Sequence, residues 1–216
     1  MPGPITKLLS TCSGLVLDIG PGSGEQLRHF TPSRITAAYG AEPAADLHPK
    51  LISTAEKVGF AGGKYHALLC GAEPESLIPA LHKNGLLATA KSGTGGGAAG
   101  NSAAGSEVFD EICSVRVLCG VPRPRETVKG LYELLKPGGR LVVCEHVVNQ
   151  RSAFARGMQM LYMLLGWSFF MGGCELQRDT ERFLREAGEW ERVEIEQVGS
   201  MDTIPYIVGE LFKKER

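Results

Sequence analysis

Val16-Leu17-Asp18-Ile19-Gly20-Pro21-Gly22-Ser23-Gly24 is the stretch whose reading decides the fold of this chain. The short apolar run from Leu15 to Ile19 has the length and bounding turn residues of a buried parallel strand. Three glycines at alternate positions end it, and Glu25-Gln26-Leu27 then opens a helical pattern. Glycine is needed where a backbone turns sharply and approaches a ligand with no Cβ between them. The unit therefore reads as a strand, a glycine loop and a helix at the edge of a nucleotide. Gly20, Gly22 and Gly24 make G-x-G-x-G, whereas a pyrophosphate seated on a helix N-terminus uses G-x-G-x-x-G. Asp18, two residues before the first glycine, would repel a pyrophosphate and suits a cationic group such as an α-ammonium.

Further along, a second apolar strand from Ile35 to Tyr39 runs into Gly40-Ala41-Glu42-Pro43. A carboxylate at that point can accept hydrogen bonds from both hydroxyls of a ribose, and Glu42 lies close to the offset of about 20 residues expected for that role. A third strand, Tyr65 to Leu69, ends in Cys70-Gly71-Ala72-Glu73. Phe109 to Val115 reads as a fourth strand, introduced by an aromatic–acid pair. Leu134-Leu135-Lys136-Pro137-Gly138-Gly139-Arg140-Leu141-Val142-Val143 reads as a helix end, a turn and a fifth strand. Alternating strands and helices over residues 15–148 predict a parallel, doubly wound α/β sheet with right-handed crossovers. After a Met- and aromatic-rich helical segment (Arg151 to Phe170) and a polar helix (Asp179 to Glu189), strands Arg192–Val198 and Tyr206–Phe212 close the chain as a hairpin.

These motifs, in this order, resemble the class I S-adenosylmethionine (SAM) methyltransferases. The resemblance implies a Rossmann-like, seven-stranded, mostly parallel sheet in the order 3-2-1-4-5-7-6, with helices on both faces. It implies that SAM is the cofactor, held by Asp18, Gly20, Pro21, Gly22 and Gly24, by Glu42 at the ribose, and by Gly71, Ala72 and Glu73 at the adenine. Val115 and Val117, at the end of the fourth strand, complete the set. Three further strings are more particular: Val117-Leu118-Cys119-Gly120-Val121-Pro122-Arg123-Pro124, Glu145-His146-Val147, and Gly172-Gly173-Cys174-Glu175-Leu176-Gln177-Arg178-Asp179-Thr180. They resemble the methyltransferase-like alkyl-thiol S-methyltransferases and their soluble fungal relatives. That likeness covers about residues 14–212 and implies a small, fairly apolar acceptor, thiol sulfur first and hydroxyl oxygen second. His146, with an unperturbed pKa near neutrality, is the candidate general base; a structural hydrogen-bonding role is the alternative. A thiol of low pKa would need no base, leaving His146 to shape the pocket. Residues 151–175 are expected to form the acceptor-pocket helix. Cys119 and Cys174 are read as pocket-lining thiols or small core side chains.

A chain of 216 residues suffices for one α/β domain. A net charge of −1 with scattered basic residues argues against a nucleic-acid surface. The six cysteines form no CxxC pair, so reduced thiols in the cytoplasm are expected, with neither disulfides nor a metal site. Met158 to Met171, the most apolar window, falls short of the ~20 residues of a membrane span, although peripheral contact is left open. Residues 88–106 form a Gly/Ala/Ser tract without periodicity and are expected to be a flexible insertion. Relatives of this class carry one or two helices ahead of strand one that cover the cofactor. Here strand one begins by about residue 15, too early for that lid. An open site, a partner subunit such as a second copy of the chain, or a shortened form would each account for this. Three functions therefore stay in view: a methyltransferase of small molecules, as in secondary metabolism; a non-methylating enzyme on the same fold, for example a cyclase; and a SAM-binding interaction protein.

Overall fold

The computed structural model describes residues 3–87 and 107–215; the expected insertion at 88–106 lies outside the described residues. Seven strands form one sheet: β1 (Gly14–Ile19), β2 (Ile35–Ala41), β3 (Tyr65–Leu68), β4 (Phe109–Val115), β5 (Leu135–His146), β6 (Trp190–Val198) and β7 (Tyr206–Lys213). Their order is β3-β2-β1-β4-β5-β7-β6, and β7 runs antiparallel to both of its neighbours. The helices are α1 (Gly3–Ser10), α2 (His48–Lys57), α3 (Pro74–Lys83), α4 (Pro124–Leu134), α5 (Ala153–Leu164), α6 (Trp167–Phe170) and α7 (Thr180–Glu186). A 3-10 helix, Glu25–His29, stands where the first full helix was expected.

Side chains alternate across each strand, so the unbroken apolar runs feed two cores. Leu17, Ile19, Ile112, Leu141 and Val143 pack on one face with Leu77 and Leu81 of α3 and Leu131 of α4. Val16, Cys113, Val142 and Cys144 pack on the other with Leu51 of α2 and with Ile5 and Leu9 of α1. Helix α1 lies ahead of β1 in a segment where no helix was expected. Its apolar side seats on β5 and β7, away from the cavity described below, so it is not a cofactor lid.

Two expectations about element boundaries change. The Pro137-Gly138-Gly139 turn lies within β5, where pairing jumps from Phe109↔Leu135 to Glu111↔Arg140. Gly138 takes the excess residues at φ 71°, the left-handed conformation of a bulge. The helical segment expected from Arg151 to Phe170 is two helices, broken at Gly166 with φ 89°. Ser152 caps α5 by accepting from the Ala155 N–H at 3.1 Å. Buried Asn149 donates to the carbonyls of Ser200 and Asp202, both at 2.9 Å, and thereby ties the segment to the β6–β7 turn. Among the described residues no helix is long and apolar enough to cross a membrane.

Candidate functional site

Strand order reverses between β1 and β4, and crossovers leaving in opposite directions open a crevice at the strands' carboxyl ends. A cavity of about 730 Å³ lies there, within the roughly 300–1,000 Å³ typical of small-molecule sites.

One end is built by the loop after β1 and the ends of β2 and β3. Gly20 and Gly22 are left-handed, at φ 57° and 59°, and line the cavity with Pro21. A Cβ on Gly20 would stand 2.6 Å from Cγ2 of Val117, so glycine lets this loop close on the turn after β4; a Cβ on Gly22 would meet nothing within 4 Å. Glu42 is 6 % exposed and held by two backbone donors, Gly22 N–H to Oε2 at 2.8 Å and Ala44 N–H to Oε1 at 2.9 Å. Each oxygen keeps a lone pair for a hydroxyl. Gly71, Ala72 and Glu73 form another wall, where the Gly71 N–H donates to Ser76 Oγ at 2.8 Å. Val115 and Val117 line the cavity from the β4 side.

Asp18 and Gly24 are placed differently from their neighbours in the motif. Asp18 is fully buried behind Gln26, which lines the cavity and whose Nε2 donates to both carboxylate oxygens, at 3.3 and 3.5 Å. Burial pushes the Asp18 carboxyl up to about 7; the Gln26 bond opposes this, and the charge of Glu42 adds to it. Gly24, at φ 85°, allows Leu27 and Leu51 to approach closely and serves the seating of α2.

The other end is lined by Cys119, His146, Met171, Gly172 and Cys174. β4 stops at Val115, so Val117, expected at the end of that strand, lies with Leu118 and Cys119 in the turn beyond it. Arg116 opens the turn at φ 60°, a conformation costly for a non-glycine residue and frequent at functional sites. His146 closes β5, its ring centroid 4.5 Å from that of Tyr206, with Nδ1 3.4 Å from Cys174 Sγ. The Cys119 thiol, Cys174 thiol and His146 ring nitrogen lie within 4.8 Å of one another. A hydrogen bond between the two thiols, with His146 alongside, favours the Cys174 thiolate and holds the Cys119 proton on. All six cysteines are free and buried.

Glu145 and Arg178 are residues of the site that no motif singled out. Glu145 is fully buried, accepting from Ser114 Oγ at 2.6 Å and from the Val117 N–H at 3.0 Å, and so clamps the Cys119 turn to β5. Burial raises its pKa, against the lowering effect of those bonds and of His146. A carboxylate inside the apolar run Leu141 to Val147 was the available clue. Arg178 donates to the carbonyls of Leu118, at 2.8 Å, and Val121, fixing the same turn from the far side. Tyr162, Met163 and Trp167 pack against Cys119, Cys174 and Leu176, whereas Phe154, Leu164, Phe169 and Phe170 of the same segment are exposed.

The sheet order, the glycine loop at β1 and the acid ending β2 define a class of protein, and comparison with known families agrees. A methyltransferase-domain model matches residues 5–189, and the chain belongs to that family of SAM-dependent enzymes. Among curated relatives, thiol S-methyltransferase TMT1B of Rattus norvegicus is 31% identical over 88 residues, which are 41% of this chain and 35% of that protein. The Homo sapiens protein of the same name is 28% identical over 109 residues, 49% of this chain and 44% of its own length. The chain thus spans less than half of the curated relatives it matches. Among solved structures, the [4+2]-cyclase SpnF superposes with a TM-score of 0.65 at 15% identity, covering 99% of this chain and 81% of that one. The N-methyltransferase NodS of Bradyrhizobium japonicum WM9 gives 0.59 at 14% identity, covering 98% and 93%. At such identities these two likenesses are likenesses of fold. The cavity fits the family's cofactor: it has room, a glycine loop open to it at Gly22, a fixed acceptor pair on Glu42 and a buried carboxyl behind Gln26.

Proposed function

We propose that this chain transfers a methyl group from SAM to the sulfur of a small, fairly apolar thiol, with hydroxyl oxygen as a second acceptor. The observation that carries this reading is the continuity of one cavity, from the Gly20–Gly22 loop and Glu42 at one end to Cys119, His146 and Cys174 at the other. The similarity to thiol S-methyltransferases favours sulfur. Bound SAM supplies a methyl group on a positively charged sulfonium. The chain holds the reactants in line and takes them out of water, where most of such an enzyme's rate advantage arises. In this reading Glu42 receives the ribose hydroxyls, Asp18 acts through Gln26 on the ammonium group, and Gly71 to Glu73 border the adenine. Val115 and Val117 bound the cofactor, and His146 takes the acceptor's proton as the sulfur becomes a nucleophile.

The segment 151–175 is the acceptor-pocket element of the proposal. It contributes Met171, Gly172 and Cys174 to the cavity, and the exposed Phe169 and Phe170 beside Met171 favour peripheral contact with a membrane surface. Six unpaired cysteines support a cytoplasmic setting; a place in secondary metabolism and a homodimer belong to the same reading. Transfer of labelled methyl from SAM to a panel of alkyl and aryl thiols tests it. Methyl thioether is the expected product, and transfer to no thiol or phenol overturns the proposal. A second reading, a non-methylating enzyme, is favoured by the likeness to SpnF over nearly the whole chain. It predicts turnover that continues when S-adenosylhomocysteine replaces SAM.

A further inference from the structure

Cys119, His146 and Cys174 are far apart in sequence and meet only because the turn after β4, the end of β5 and the loop after α6 converge. We propose that these three side chains bind one zinc ion, and that its fourth position faces the cavity and takes the sulfur of the acceptor thiol. The inference rests on the proposed function for the identity of that fourth ligand and goes beyond it in assigning a metal.

Geometry comes first. Zinc–sulfur bonds of about 2.3 Å and zinc–nitrogen bonds of about 2.0 Å in a tetrahedron separate the donor atoms by roughly 3.3–3.9 Å. Here the Cys174 sulfur and His146 Nδ1 are 3.4 Å apart, and all three donors lie within 4.8 Å, so small side-chain rotations suffice. Among the described residues this is the group of three donors so placed. The donor set is soft and borderline, which suits zinc over magnesium or calcium.

The frame is rigid before any metal arrives. The Cys119 carbonyl accepts from the Glu175 N–H at 2.9 Å, which joins two of the three ligand segments directly. Glu145 and Arg178 clamp the Cys119 turn from opposite sides, and the Gly173 N–H donates to the Ser168 carbonyl at 2.7 Å beneath Cys174. Trp167 packs against the thiol pair.

Three protein ligands with one open position are the pattern of zinc that works on a bound molecule, whereas structural zinc is closed by four. All three donors line the cavity, which leaves the open side toward it. Two thiolates cancel the zinc charge, so a third can enter without repulsion by a net negative site. On entry the acceptor's S–H bond breaks, a zinc–sulfur bond forms, and the proton leaves to solvent. With zinc bound, His146 is a ligand and no longer the base.

The test uses the full chain, purified under a phosphine reductant and dialysed against zinc chloride or cobalt(II) chloride. One zinc per chain is expected. The cobalt form should show a thiolate-to-metal charge-transfer band that shifts when an alkyl thiol is added. Cys119→Ser and Cys174→Ser should each lower zinc affinity by tenfold or more, whereas Cys70→Ser should leave it unchanged. Circular dichroism of each metal-free variant separates loss of a ligand from loss of fold, and Cys119→Ala serves if the serine variant unfolds. No stoichiometric zinc, or affinity unaltered in both ligand variants, overturns the metal site. A cobalt band that ignores added thiol overturns the open position. SAM affinity of the metal-free chain is measured in parallel: a chain that binds SAM but takes up no zinc refutes this inference alone, and one that takes up zinc but does not bind SAM refutes the methyltransferase reading alone.

Discussion

Asp18 couples the site to pH. Its carboxyl titrates at about 7 in the fold and near 3.8 when unperturbed, so between those values the native state carries a proton that the unfolded chain has released. Stability therefore falls as pH rises through that window, because the native state binds more protons there. Ligand binding runs the other way. An ammonium group near Asp18 favours the charged carboxylate, so the affinity for SAM should weaken by up to about tenfold per pH unit below about 7. Calorimetric titration across pH, in buffers of differing ionisation heat, should show proton release on binding; Asp18→Asn should remove both the release and the slope. Glu42→Gln should weaken SAM about tenfold or more, from the roughly 1.5–3 kcal/mol of a charged hydrogen bond, with a smaller change in melting temperature. Asp18 and Glu42 were legible as acids beside glycine loops, because local spacing alone sets where a strand ends. That Asp18 lies buried behind Gln26 was not legible, since burial depends on how the 3-10 helix Glu25–His29 folds over the strand.

At the scale of elements, close backbone approach sets the limits. Gly209 lies in β7 between β5 and β6, and a Cβ there would stand 2.0 Å from the Glu194 carbonyl oxygen. Gly209→Ala should therefore push β6 away and cost about 3 kcal/mol in denaturant unfolding, the upper range for overpacking. Gly22→Ala meets no neighbour but must hold φ 59°, so it should cost only about 1 kcal/mol while altering SAM affinity. Strand positions were legible to within a few residues, because unbroken apolar runs have few other places to go. The bulge in β5 and the break at Gly166 were harder to see. A Pro-Gly-Gly string makes a turn or a bulge according to the pairing offered by β4, and a glycine in a helical run ends it only when tertiary contacts favour the break.

For the whole molecule, the Arg140 network joins three strands. Its guanidinium bonds Glu111 at 2.5 Å and Glu210 at 2.7 Å, and all three side chains are largely buried. Arg140→Met leaves two buried carboxylates unpaired and should cost roughly 3–5 kcal/mol near neutral pH. Urea unfolding of the two proteins side by side measures the loss. The amino-acid sequence by itself determined the strands, the glycine loop and the acids ending two strands, because apolar periodicity and glycine placement are local and survive in a linear reading, whereas the order of the strands followed from the family resemblance. Only the tertiary structure decided the other end of the cavity. Cys119, His146 and Cys174 carry no spacing signal, and one crossover through α4 and a broken helix bring them within 4.8 Å. Their meeting depends on the summed packing of distant segments, which no local pattern encodes.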